Sequence, residues 1–143
     1  MISVSWSIGI DRPPEAVFDF VSDLDNEPKF NPDASQIVKK SDGPIGLGTV
    51  WEEEFKRIGK YETTIDRFDR PSALGFDAKN PKCDAHVLFN FEPDGAGTRV
   101  SCTVDLTFKG FSRALEPVMG GTIRKTIEDE RGPALKAAVE AGP

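Results

Sequence analysis

"DRPPEAVFDFVSDLDNEPKFNP", residues 11–32, decides the fold, because it sets a good apolar helix stripe between prolines. Val17, Phe20, Val21 and Leu24 recur at i, i+3, i+4 and i+7, the spacing that turns one side of a helix toward a core. Pro13 and Pro14 fall in a first turn, where a missing N–H costs little, and Asp11 is placed to cap that turn with its carboxylate. Asp23 to Asn26 reads as a polar turn. Pro28 then starts a second short helical turn and Pro32 ends it. The segment is two short helices in an elbow, too short to be stable alone and shaped to fill a notch in a larger element.

That larger element lies on both sides. Upstream, "MISVSWSIGI" puts Ile2, Val4, Trp6, Ile8 and Ile10 on one face and Ser3, Ser5, Ser7 and Gly9 on the other, the mark of a strand with one buried face. Downstream, "ASQIVKK", "TVWEEEFKRI", "KYETTIDRFD", "SALGFDA", "AHVLFNFE" and "TRVSCTVDLTF" read as strands. Between them lie the turn signals "SDGPIGLG", Gly59, "NPKCD" and "PDGAG". Short turns make neighbouring strands antiparallel. In the last strand Val100, Cys102, Val104, Leu106 and Phe108 share a face.

From Ser112 the period becomes helical: Leu115, Val118 or Met119, Ile123 and Ile127, then approximately Leu135 and Val139. Gly120-Gly121 and Gly132-Pro133 interrupt it. Pro133 has no N–H and crowds the carbonyl four residues back, which predicts a kink or break near residues 129–132. The expected fold is α+β: a curved antiparallel sheet of about seven strands wrapped around a long C-terminal helix, with two short helices between strands 1 and 2. Residues 1–143 are expected to form one domain.

Composition narrows the partners. A net charge of -6 argues against a nucleic-acid partner and against an anionic membrane surface, both of which call for a basic face. Lys39-Lys40 and Arg124-Lys125 are short enough to be solvated surface. No run approaches the ~18 apolar residues of a membrane span, so no stable membrane insertion is expected. The first ten residues have no basic leader and no continuous apolar core, so a cytoplasmic protein is expected. With a turn centred near Asp94-Gly95, Cys83 faces about residue 106 and Cys102 about residue 87, too far apart for a disulfide. Two reduced thiols follow.

Few residues carry obvious chemistry. His86 is the only histidine and the cysteines lack C-x-x-C spacing, so neither a metal site nor a Ser-His-Asp arrangement is expected, and no cofactor is implied. His86 falls opposite Ala85, Val87, Phe89 and Phe91 and reads as a solvated imidazole. "GPIGLG" lacks the order of a nucleotide-binding loop and is a turn. "WEEEF" is more informative, since Trp51, Glu53 and Phe55 share one strand face. If the aromatics point inward, Glu53 goes with them, its pKa rises, and it becomes a candidate general acid or base. The alternative is an edge position where Glu53 reaches water or pairs with Arg57 or Arg67. Trp51, Phe55, Tyr61, Phe76, Phe89 and Phe91, with Met119 and Ile123 on the facing helix, are the candidate ligand-binding residues. The competing reading of the same residues is a dry, filled core. Gly120 and Gly121 either leave room at a cavity mouth or mark ordinary helix irregularity.

The element order and four stretches, "RPPEAVFDFVSDLDNEPKFNP", "GPIGLGTVWEE", "FNFEPDGAGTRVSCTVDL" and the helix after "FKGF", resemble the START-like, helix-grip (SRPBCC) superfamily, with its polyketide cyclase/dehydrase and lipid-transport group. The resemblance implies a cavity between sheet and long helix that holds an apolar or aromatic small molecule, lipid-, polyketide- or quinone-like. It carries over no catalytic residue. Binding of such a molecule ranks first. A cyclase/dehydratase-like enzyme using Glu53, Tyr61 or an arginine to move protons ranks second, and a regulatory module that docks on another protein third. A homodimer is left open.

Overall fold

The alternation of residues 2–10 becomes β1 (Ile2–Ile10), whose Ile2, Val4 and Ile10 are buried. This computed structural model describes residues 1–142. After β1 come helix α1 (Pro14–Ser22) and a 3₁₀ helix (Leu24–Lys29). Six further strands follow: β2 (Ala34–Lys39), β3 (Val50–Phe55), β4 (Gly59–Asp69), β5 (Ala73–Lys79), β6 (Cys83–Asp94) and β7 (Gly97–Phe108). They form one seven-stranded sheet in the order β1-β7-β6-β5-β4-β3-β2, with every neighbour antiparallel. Only β1 leaves chain order, closing the sheet's far side against β7. The expected helix-grip architecture is the observed one.

The elbow forms where the prolines place it, with two corrections. Asp11 does not cap α1. Pro13 is the N-cap, and its carbonyl accepts from the N–H groups of Ala16 and Val17 at 3.0 and 3.2 Å. Asp11 instead donates its backbone N–H to Glu140 Oε2 at 2.9 Å, joining the elbow to the C-terminus. The second helix starts at Leu24, not at Pro28, because Asp23 caps it by accepting from the Asp25 N–H at 3.1 Å. Val17, Phe18, Val21 and Leu24 are all buried.

The β6–β7 turn also shifts. Asp94 pairs with Gly97, so the turn is the two-residue Gly95-Ala96, with Gly95 at φ +60° in the first position, as a type II′ hairpin requires. Cys83 therefore faces Phe108 and Cys102 faces Phe89, two positions from the expected partners, and both thiols are free.

The C-terminal arm is one helical run of changing pitch: a 3₁₀ turn (Gly110–Leu115), α2 (Glu116–Thr126), a π turn (Ile127–Arg131) and α3 (Gly132–Glu140). The widened turn lies where Pro133 leaves the carbonyl four residues back without a donor, so the helix loosens rather than breaks. Gly132 lets α3 approach β1 closely: a Cβ there would lie 3.3 Å from the Trp6 ring. Leu135 and Val139 then enter the core. The apolar stripe expected along the whole arm does not hold for α2, which buries no residue. Leu115 and Val118 are exposed, at 49% and 78%.

Candidate functional site

Between the concave face of the sheet, the 3₁₀ helix of the elbow and the π turn lies a cavity of about 220 Å³. Much of its wall is strand side chain at period two: Phe55 on β3, Tyr61 and Thr63 on β4, Phe76 on β5, Val87 and Phe89 on β6, Val104 and Leu106 on β7. Trp6 of β1 closes one side, its ring meeting Phe89 edge-on at 6.0 Å, and Phe55 meets Tyr61 edge-on at 5.7 Å.

The sequence-expected residues divide. Phe55, Tyr61, Phe76, Phe89 and Glu53 line the cavity. Trp51 and Phe91 are buried beside it in the packed core, with Phe91 stacked on Phe89 at 5.9 Å, and neither borders the hollow. Met119 and Ile123 lie on α2, which does not reach the cavity. Gly120 does not border it either, since its bare Cα packs toward Ile2. His86 is on the outer face of β6, its Nε2 2.8 Å from Asp66 Oδ2.

One end of the cavity is polar. Glu53 follows Trp51 and precedes Phe55 on the inward face of β3 and is only 3% exposed. Thr63 Oγ1 donates to Glu53 Oε1 at 2.5 Å, while Oε2 has no partner. Arg57 pairs with Asp33 at 3.0 Å and Arg67 with Asp69 at 2.8 Å, so neither neutralises Glu53. Burial above all, and then the charge of neighbouring Glu27, push the Glu53 carboxyl far above the ordinary carboxylate range. Two ionised carboxylates cannot hydrogen-bond, but a proton on Glu53 gives Oε2 a donor and Glu27 the accepting role. The raised pKa favours the protonated form of Glu53 at this wall.

Sequence reasoning missed the rest of this end. Glu27 and Asn31 come from the elbow, where Asn31 Nδ2 donates to Glu27 Oε2 at 3.1 Å. Arg131 comes from the π turn and is half-buried; no carboxylate among the described residues lies within 4.0 Å of its guanidinium. Burial lowers the Arg131 pKa, and the nearby charges of Glu27 and Asp33 oppose that shift. Thr63 was legible, being two residues after Tyr61 on one strand. Glu27 and Arg131 gave no signal, since a polar residue in a turn or on a charged helix reads as solvated.

The comparisons with known proteins agree with this architecture. The family profile described as polyketide cyclase / dehydrase and lipid transport matches residues 1–140. The chain belongs to this family. Among solved structures, TTHA0849 from Thermus thermophilus is similar over 97% of both chains, at TM-score 0.78 and 19% identity. A START superfamily protein from Mycobacterium smegmatis aligns over 97% of both chains at TM-score 0.76 and 16% identity. The di-domain ARO/CYC BexL from the BE-7585A biosynthetic pathway covers 99% of this chain with 51% of its own, at TM-score 0.74 and 17% identity. At such identities the likeness is one of fold. No curated protein sequence matches the chain. No helix among the described residues is long and apolar enough to cross a membrane.

Proposed function

We propose that residues 1–143 act as one domain that binds a compact small molecule, apolar over most of its surface and ring-containing, in the cavity between sheet and C-terminal arm. The observation that carries this reading is the aromatic-walled chamber of about 220 Å³. Its size sets the class of occupant. An apolar cavity of ~150 Å³ holds one benzene. A substituted single ring fits this chamber without movement, whereas a sterol or long acyl chain requires the arm to shift. Native mass spectrometry of protein purified from its host tests the reading. A bound small molecule that is lost on denaturation, and absent from a cavity-filling Val87→Trp variant, is the expected result. An adduct retained in Val87→Trp places binding elsewhere and overturns it.

The Glu53–Glu27 pair favours a second reading, a cyclase/dehydratase-like enzyme. A carboxyl held neutral at this depth is a proton donor suited to carbonyl polarisation, and Tyr61, whose hydroxyl burial keeps protonated, is a second donor on the same wall. The two readings separate on turnover: a pH-dependent rate abolished in Glu53→Gln supports the enzyme, and recovery of unchanged ligand supports the carrier.

A further inference from the structure

The apolar wall explains why a ring would enter, but not why an arginine faces the same chamber. Every other ionisable side chain at that end has its own engagement: Glu27 accepts from Asn31, Asp33 pairs with Arg57, and Glu53 accepts from Thr63. Arg131 has none among the described residues, although its guanidinium carries five N–H donors and sits half-buried on the cavity lining. A half-buried guanidinium with no direct hydrogen-bond or ion-pair partner loses hydration that the charges of Glu27 and Asp33, both beyond 4.0 Å, only partly offset. Its backbone position is unusual too. Arg131 is the last residue of the π turn, a widening of the helix that recurs at functional sites. The second free polar atom is Glu53 Oε2, nearly fully buried and unpartnered. With a proton on it, this unpartnered atom is a donor free to meet a ligand.

We infer that the polar end of the cavity recognises an acceptor-only oxygen group, a carbonyl or a carboxylate, on a ligand whose body is a substituted ring, with Arg131 as the principal anchor and Glu53 as the second donor. The inference deepens the small-molecule reading above and rests on it. A hydroxyl or amine head must also find an acceptor for its own proton, and the carboxylates at this end, Glu27 and Asp33, are already engaged by Asn31 and Arg57. An oxygen with lone pairs alone satisfies both donors.

Three probes of one shape test this: para-ethylbenzoate, para-ethylacetophenone and para-ethylcumene, which present carboxylate, acetyl and isopropyl at the same position. Each is titrated into the intact protein and followed by NMR shifts of the cavity-lining residues. At least one oxygen-bearing probe is expected to bind wild type about tenfold more tightly than the cumene, the size of one charge-assisted hydrogen bond. Arg131→Met should erase that preference, bringing the oxygen-bearing probes to or below the affinity of the cumene for the same variant, and Arg131→Lys should restore part of it. The order of the two oxygen probes then separates carboxylate from carbonyl. Equal binding of all three probes to wild type, or tighter binding of the cumene, overturns the acceptor assignment while the small-molecule reading stands. If none of the three moves the cavity resonances, both fall. The wild-type ranking decides the question even if Arg131→Met does not fold.

Discussion

The two halves of the C-terminal arm share one helical run but not one role. α3 is anchored: Leu135 is fully buried, Val139 nearly so, Gly132 lies against Trp6, and Arg12 Nη2 donates to the Glu140 carbonyl at 2.7 Å. α2 buries nothing; its Val118 is open to solvent, as are Phe111 and Leu115 at its approach. Its ties are peripheral: the Arg124 guanidinium on the Ser3 carbonyl at 3.0 Å, and Glu116 on the N-terminal amine at 2.8 Å. The π turn with Arg131 joins the two. A clamp with one fixed and one loosely held half has a built-in place to yield, and the polar end of the cavity lies beside the junction.

The contrast is most strongly tested by Leu135→Ala. Removing a fully buried leucine should cost about 2–5 kcal/mol, whereas Val118→Ala should stay within about 0.5 kcal/mol, both read from denaturant unfolding. Equal losses would mean that α2 is as firmly seated as α3.

Next comes the carboxyl facing the junction. Glu53 has its folded pKa raised above the ordinary 4.5, so its contribution to stability is complete below that value and is lost as pH rises toward the folded pKa. In that window the unfolded chain releases a proton that the folded chain keeps. Glu53→Gln should remove the loss, and its stability advantage over wild type should grow by up to ~1.4 kcal/mol per pH unit above pH 4.5. Parallel stability curves for the two proteins between pH 5 and 8 would show that Glu53 is ionised in the fold.

Smaller effects sharpen the loose half. No atom lies within 4 Å of a Cβ built on Gly121, so Gly121→Ala should stabilise by about 0.5–1 kcal/mol through helix propensity alone, seen as a raised Tm. In native-state hydrogen exchange, α2 amides should open at a lower free energy than those of α3, which should approach the global value. Comparable protection along the whole arm would remove the hinge.

Much of the fold was legible because its determinants are local. The alternation in β1, the prolines at 13 and 14 and the reversal near Gly95 act within a few residues of themselves. The errors were local too: Asp23 took the cap and moved a helix start forward, and a two-residue turn displaced the cysteine register. At the site, the period-two face of β3 and β4 gave Glu53, Phe55 and Tyr61, while Trp51 sits on the same face without touching the hollow. Which residues of a buried face meet empty space depends on the curvature of the whole sheet.

By itself, the sequence determined strand and helix periods, their order and the inward face of β3, because backbone geometry converts spacing directly into sidedness. Only the tertiary structure decided that Glu27 of the elbow and Arg131 of the π turn line the same chamber as Glu53. Those three residues are distant along the chain, and no local preference records which polar groups long-range packing will strip of water and place together.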